Sequence, residues 1–258
     1  MRFSVVIPTW NEGPQIAASL KRLREISDES HMEIILVDGG STDKTLDAAR
    51  DFVDQVRVLE KPNRGAQLHA GAKRATGDLL LFLHADTQPP GNWQERLEKF
   101  WLKNHEEPLA GTVFSIDYGN HLPLRLVAAA QNWRTRWLGL AYGDQGFCVS
   151  VDNYAKSGGF PEIPLMEDVE FSRRLRKIGK LELLPERIRP AARRLRRSGA
   201  LVNTLFNQWM LLRYLAGADP ARLWERYYSR DRRAPPPAPP PPDPEQHPFA
   251  YLRKKKRG

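Results

Sequence analysis

The chain reads as an α/β protein with a mostly parallel central sheet flanked by helices. Three observations predict this. Short apolar runs of strand length alternate with helix-period segments in β-α-β-α-β-α-β order through the first third of the chain. That order favours parallel strands joined by crossover helices. Each run is followed at once by a polar loop, and ligands of open α/β sheets bind beyond the carboxyl ends of the strands. Finally, Leu79–Leu83 is a continuous apolar run, as expected of a strand buried on both faces, and His84-Ala85-Asp86 follows it.

The elements follow in order. Phe3 to Ile7 reads as a strand, and Pro14 to Ile26 as a helix with proline near its start, where a missing N–H costs little. Ile34 to Val37, Val56 to Leu59 and Leu79 to Leu83 are the next strands; Lys44 to Phe52 and Ala66 to Ala75 are the helices between them. Trp93, Leu97, Phe100 and Trp101 recur at helical spacing. A strand over Leu109 to Ile116, a helix over His121 to Leu138, a strand over Gly146 to Val151 and a helix over Glu167 to Ile178 complete a first unit, taken as residues 1–185. Residues 186–233 read as a basic helical extension. Val202, Leu205, Phe206, Trp209 and Leu212 form its apolar stripe, and Pro220 to Tyr228 its second helix. Residues 234–258 are proline-rich and end in a basic run, a composition without a core.

Composition narrows the function classes. A single cysteine, Cys148, excludes a disulfide framework and a Cys-rich zinc site, and fits a reducing, cytoplasmic setting. The amino terminus lacks a signal-peptide pattern, and no apolar stretch is long enough to span a bilayer. The net charge of +9 divides into −6 over residues 1–172 and +15 over residues 173–258. Such an asymmetry suggests an anionic partner: a phosphorylated substrate, a membrane surface or nucleic acid. No nucleic-acid motif supports the last of these.

The loops carry the chemistry. Pro8-Thr9-Trp10-Asn11-Glu12 follows the first strand and Asp38-Gly39-Gly40-Ser41-Thr42-Asp43 the second. The glycines allow close backbone approach to a ligand, and Asp38 can accept from a base or ribose. The competing reading is a turn and helix cap built from Ser41, Thr42 or Asp43. Lys61 or Arg64, after the third strand, can meet phosphate or simply face water. Asp86 can hold a hard divalent cation that in turn holds phosphate oxygens. His84 is either its companion, suiting Mn²⁺ better than Mg²⁺, or a hydrogen-bonded structural histidine. Glu167 and Asp168 open a helix whose dipole favours carboxylates, and adjacent carboxylates poise one another for proton transfer. Gly158-Gly159-Phe160-Pro161 before them reads as a flexible loop, with Asp144 and Gln145 similarly placed. Rossmann, P-loop, nucleophile-elbow and His-Glu-x-x-His signatures are all missing.

Taken together, Pro-Thr-x-Asn-Glu, Asp-Gly-Gly-Ser-Thr-Asp, His-Ala-Asp, Gly-Gly-Phe-Pro and Glu-Asp resemble the family 2 glycosyltransferases over roughly residues 1–180. The Leu-Phe-Leu-His-Ala-Asp-Thr, Tyr-Gly-Asp-Gln-Gly and Leu-Met-Glu-Asp-Val-Glu segments are similar to the subgroup named for arsenosugar biosynthesis. The resemblance implies a GT-A fold and inverting transfer from a nucleotide-sugar, UDP-linked more often than GDP-linked, to a hydroxyl acceptor. It implies that Pro8, Thr9, Asn11, Glu12, Asp38, Gly40, Arg64 and Ala85 bind the nucleotide, and that Asp86 with His84 binds Mg²⁺ or Mn²⁺. Asp168 matches the catalytic base, with Glu167 beside it. His84 replaces the first Asp of the family's Asp-x-Asp signature. The Gln-x-x-Arg-Trp motif of processive members has no counterpart at Ala192-Arg193-Arg194-Leu195. The rival readings are a nucleotidyltransferase, which usually opens on a glycine-rich basic loop, and a non-catalytic binder of nucleotide-sugar or another anionic ligand. The 202–212 stripe either packs on the catalytic unit or makes peripheral contact with an anionic membrane at its inner face.

Overall fold

The computed structural model describes residues 1–104, 108–191 and 199–230; residues 193–197 and the tail from 234 lie outside the described residues. The strands are β1 (Phe3–Thr9), β2 (Met32–Asp38), β3 (Gln55–Val58), β4 (Leu79–Phe82), β5 (Thr87–Gln88), β6 (Leu109–Ile116), β7 (Phe147–Ser150) and β8 (Lys180–Pro190). The helices are α1 (Gln15–Glu25), α2 (Thr45–Ala49), α3 (Arg64–Ala72), α4 (Trp93–Lys103), α5 (Leu122–Leu138), α6 (Val151–Ser157), α7 (Glu167–Leu175), α8 (Ala200–Leu215) and α9 (Pro220–Arg230).

One sheet runs in the order β3-β2-β1-β4-β7-β6-β8-β5. Strands β3, β2, β1 and β4 are mutually parallel, as the alternating pattern predicts. Beyond β4 the sheet is mixed: β7 is antiparallel to β4 and to β6, and β8 is parallel to β6. This pairing brings the carboxyl ends of β1 to β4, the start of β7 and the ends of β6 and β8 to one edge.

Both faces of the sheet are covered. Phe3, Val5 and Ile7 pack with Ile16, Leu20, Trp93 and Leu97 on one face. Val6 points the other way, into a cluster with Leu68, Phe82, Phe147, Phe160 and Phe171. This period-two division is what a strand backbone imposes. A Cβ at Gly71 would lie 2.3 Å from Val6 Cγ1, so α3 crosses the sheet where only glycine fits. The carboxylate of Glu33 is buried inside the sheet. It accepts from Ser4 Oγ, Thr76 N, Thr76 Oγ1 and Gln55 Nε2 at 2.5–2.9 Å. Burial pushes its pKa up, and these donors together hold it below the ordinary value.

Strand β8 has no counterpart in the sequence reading, because Pro185 and five charged residues break up its pattern. The sheet accommodates Pro185 with a bulge: Phe114 pairs with Leu184, whereas Ser115 pairs with Arg187. The sheet thus continues through residue 185 to Pro190.

The extension docks on the catalytic unit. Met210, Leu211 and Tyr214 of α8 and Leu223 of α9 pack with Leu140, Ile163, Met166 and Val169. Tyr214 Oη donates to Glu170 Oε2 at 3.1 Å. Packing therefore accounts for one side of α8, while Val202, Leu205 and Leu212 stay exposed.

Candidate active site

The first two loops brace one another. Asp38 is fully buried and accepts from Thr9 Oγ1 (2.9 Å), Ser41 N (2.7 Å) and Ser41 Oγ (2.6 Å). The carboxylate organises its own turn and keeps about one free acceptor direction of four. Asn11, at φ 50°, accepts from Thr42 N through Oδ1 and donates its own N–H to Ser41 Oγ. Thr45 Oγ1 accepts from Glu12 N and Gly13 N, both at 2.9 Å. Gln67 Nε2 donates to Thr9 O and Val37 O, each at 2.8 Å, tying the carboxyl ends of β1 and β2 together. Sequence reasoning missed Gln67; its only signal was a polar residue on the sheet-facing side of a helix. Pro8 and Thr9 are buried, Gly40 is half-buried at φ 79°, and Asn11 is exposed at the rim.

Helix α3 begins at Arg64, capped by Asn63 Oδ1 accepting from Ala66 N. Arg64 Nη1 donates to Glu167 Oε1 at 3.2 Å, joining the third loop to the start of α7. Gly65 makes that junction sterically feasible, since a Cβ there would stand 2.0 Å from Pro161 O and 3.3 Å from Glu167 Cβ. Gly65→Ala is expected to cost about 1–3 kcal/mol and to displace the start of α7. A urea melt and an activity assay on the same preparation check this; wild-type values in both would refute the steric argument. The Gly158–Pro161 segment is anchored rather than flexible. Phe160 is 2% exposed and stacks on Phe171 with ring centroids 4.0 Å apart.

Two non-glycine residues among those described take a left-handed backbone, Asn11 and Met166. Met166, at φ 68°, immediately precedes Glu167 and Asp168. Such conformations cost energy and gather at functional sites. Glu167 is buried. Burial drives its pKa upward, Arg64 opposes this and Asp168 adds to it. Asp168 is half-buried, with Oδ2 accepting from Gly143 N at 2.9 Å and Oδ1 from Val169 N at 2.7 Å.

Gly143 belongs to a 3-10 turn, Gly143–Gln145, at the mouth of β7. Gln145 fixes this turn: Oε1 accepts from Thr135 Oγ1 at 2.7 Å and from Tyr142 N at 3.2 Å, and Nε2 donates to Phe114 O at 3.3 Å. Asp144 accepts from Tyr118 Oη at 2.8 Å. Beside it, Arg134 donates Nε to Leu140 O, and its guanidinium lies 3.5 Å above the Tyr142 ring. Neither Arg134 nor Tyr118 was legible in the sequence, because each comes from a helix or loop without a motif; Tyr142 opens the Tyr-Gly-Asp-Gln-Gly segment, but its contact with Arg134 was not legible there.

Burial raises Asp144 from 3.8 to about 6; Tyr118 and Arg134 oppose the shift, and Asp168 and Asp86 add to it. Its neutral form is therefore favoured in the folded protein. The stability this lends is full below the unfolded carboxylate value and is lost as pH rises through about 6. Asp144→Asn should accordingly raise stability in EDTA at alkaline pH by up to about 3 kcal/mol and change little at acid pH. A melting series against pH reads this; a pH-independent difference would contradict the burial argument.

His84 and Asp86 follow β4, and Ala85 between them is buried. The His84 ring faces the 3-10 turn, where a Cβ on Gly143 would come within 2.4 Å of Nε2. Asp86 is stitched to the end of β8 by Ala191 N donating to Asp86 O at 3.1 Å. Among the described residues no three His, Cys, Asp or Glu side chains form a metal cage of their own. Asp86 suits a shared site instead. It and Asp168 both act electrostatically on Asp144, so the site concentrates negative charge that a cation would offset. Magnesium commonly uses one or two carboxylates and takes the rest of its shell from substrate phosphate and water. Tyr227 and Tyr228 of α9 lie within electrostatic range of Arg64, which brings the extension to the same edge.

The chain is similar to several known proteins. A 4-deoxy-4-formamido-L-arabinose transferase acting on undecaprenyl phosphate, from Aeromonas hydrophila, is 35% identical over 119 residues, 43% of this chain and 36% of its own length. Glycosyltransferase AglE of Haloferax volcanii is 33% identical over 100 residues, 36% of this chain and 33% of its own. The matched region spans about a third of each of these relatives. Among solved structures, the mannosyltransferase PcManGT of Pyrobaculum calidifontis, in complex with GDP-Man and Mn²⁺, superposes with a TM-score of 0.62 at 20% identity. It covers 97% of this chain and 69% of that one. S. aureus TarS 1-349 with UDP-GlcNAc superposes at 0.57 and 18% identity, covering 90% and 74%. These neighbours are GT-A glycosyltransferases, and the mixed sheet described above is that fold. The family model for glycosyl transferase family 2 matches residues 4–157, which include the loops after β1 to β4 and the Gly143–Gln145 turn. With more than half of its length so matched, the chain belongs to glycosyl transferase family 2.

Proposed function

We propose that the chain is an inverting glycosyltransferase that moves a sugar from a nucleoside-diphosphate donor, a UDP-sugar before a GDP-sugar, to an acceptor hydroxyl. The observation that carries this is the placement of Asp168. Its carboxylate is fixed by Gly143 N at the strand edge, next to the buried Glu167 carboxylate and its partner Arg64, and in the electrostatic neighbourhood of Asp86 and Asp144. A carboxylate held in that way can take the proton of an acceptor hydroxyl as the new bond to the anomeric carbon forms. The bond from that carbon to the diphosphate breaks on the opposite face, which inverts the configuration.

The nucleotide would lie over the first two loops, with Pro8, Thr9, Asn11, Glu12, Asp38, Gly40 and Ala85 around it. Arg64, already paired with Glu167, would meet the base or phosphate side. Asp86, with His84 as a second candidate ligand, would hold Mg²⁺ or Mn²⁺, which supplies positive charge against the diphosphate leaving group. That PcManGT was solved with GDP-Man and Mn²⁺, and TarS with UDP-GlcNAc, supports a nucleotide-sugar donor without choosing between the bases. The subgroup named for arsenosugar biosynthesis remains a proposal resting on the sequence resemblance.

No helix among the described residues is long and apolar enough to cross a membrane. The reading includes a cytoplasmic setting with peripheral contact to an anionic membrane. It is supported by residues 187–218, which contain seven arginines and no Asp or Glu.

Calorimetric titration with UDP and GDP, each with Mn²⁺ and with EDTA, tests the reading. Metal-dependent binding of one nucleotide is expected. Binding of neither would overturn it, and pyrophosphate release from a nucleoside triphosphate would favour nucleotidyl transfer instead.

A further inference from the structure

Helices α8 and α9 flank an open pocket of about 500 Å³ whose lining includes Trp209, Asp219, Leu223 and the exposed Arg213, Arg222 and Arg226. Arg213 and Arg226 stand over the Trp209 ring, with guanidinium carbons 5.8 Å and 4.9 Å from its centroid. Asp219, the acid of the lining, is engaged in capping: its Oδ1 accepts from Ala221 N at 2.9 Å. Among the described residues none of the three arginines has a carboxylate partner. Unpaired arginines around a cavity are arranged to receive an anion with several oxygens, which is the chemistry of a phosphate group.

The surroundings say where that phosphate comes from. Helix α5 lies against α8. It exposes Leu122, Leu126, Trp133 and Trp137 at spacings that share one helical face, the two tryptophans being 60% and 69% exposed. On α8, Val202, Leu205 and Leu212 make a second exposed apolar stripe that brackets Trp209 in the sequence. Exposed tryptophans and leucines flanked by arginines are the composition of an interfacial lipid contact. Residues 121–143, like 187–218, contain no Asp or Glu, so both helices and their flanks are uniformly basic. A second copy of the chain on this face would set arginines against arginines, which disfavours a dimer.

We infer that the α8–α9 cavity binds the phosphate headgroup of an anionic lipid, while the apolar stripes of α5 and α8 sit in the bilayer interface. The inference rests on the membrane clause of the functional reading and is independent of the catalytic residues.

Co-sedimentation of the full chain with vesicles tests it at physiological ionic strength, comparing phosphatidylglycerol mixtures with pure phosphatidylcholine. Wild-type protein should pellet with the anionic vesicles alone. The Arg213→Gln/Arg222→Gln/Arg226→Gln variant should lose partitioning on the order of 10²-fold, as three cations near a charged surface imply. It should still titrate with nucleotide as wild type, which shows that it is folded. Trp133→Ser/Trp137→Ser should lose binding to the same vesicles by about tenfold. If the arginine variant binds vesicles as wild type does, the pocket is overturned while membrane contact stands. Failure of the wild type to pellet overturns both. Displacement by millimolar inorganic phosphate would make this a soluble-phosphate site. Self-association in sedimentation velocity, abolished by the tryptophan variant, would make the face an interface between copies. Either result overturns the lipid assignment.

Discussion

Replacing Asp168 by Asn is expected to remove nearly all turnover while leaving nucleotide binding intact. Asn has the same shape, and its amide oxygen can still accept from Gly143 N, so the 3-10 turn should keep its position, while the bond from Val169 N at the start of α7 is given up. What disappears is a group able to accept a proton. Positioned general bases contribute about 10²–10⁴-fold, so kcat should fall by that factor with little change in donor KM. Release of nucleoside diphosphate measures turnover, and calorimetry on the same sample measures binding. A variant that turns over at the wild-type rate would remove Asp168 from its assigned role. Glu167→Gln differs in kind. It removes the charge of a buried carboxylate that pairs with the exposed Arg64 guanidinium, so it should disturb stability and nucleotide binding together.

The contrast between these neighbours shows what a linear reading could deliver. The continuous apolar runs and helical patterns made the parallel half legible, because β1, β2 and β4 are buried on both faces and carry little but apolar residues. The polar loops beyond them were legible for the same reason: a sheet edge is where apolar patterning stops. Asp38 illustrates how two readings can coexist. Its carboxylate organises the turn through Ser41 and Thr9, as the turn half of the alternative held, although the next helix is N-capped at Lys44 without a side-chain cap; the carboxylate still stands at the edge where a ligand would lie. Strand β8 was illegible because its regularity depends on a bulge around Pro185, which the pairing with β6 makes tolerable. Gln67, Tyr118 and Arg134 were illegible because their partners are backbone carbonyls, a carboxylate and a ring brought together only by the topology.

Asp86→Ala should lower nucleotide affinity in Mn²⁺ to the value that wild type shows in EDTA, and leave the EDTA value unchanged. Weakening the support of a metal ligand already costs about 10–100-fold in affinity, so deleting the carboxylate should cost at least that. The substitution spares the main-chain bond from Ala191 N to Asp86 O, so the link between the β4 loop and β8 survives. A loss of affinity therefore reports on charge and coordination rather than unfolding. The same substitution makes a second prediction, free of any metal. Burial is the main cause of the raised Asp144 pKa and Asp86 the smallest contributor, so removing Asp86 should lower that pKa only slightly and leave it above the ordinary carboxylate value. Carbon-detected NMR titration of the side-chain carboxyl in EDTA reads that shift directly. If Mn²⁺-dependent affinity survives while the Asp144 shift occurs, Asp86 shares the electrostatics of the site but does not hold the cation. If neither changes, the three carboxylates do not face a common space, and the proposed donor geometry fails with them.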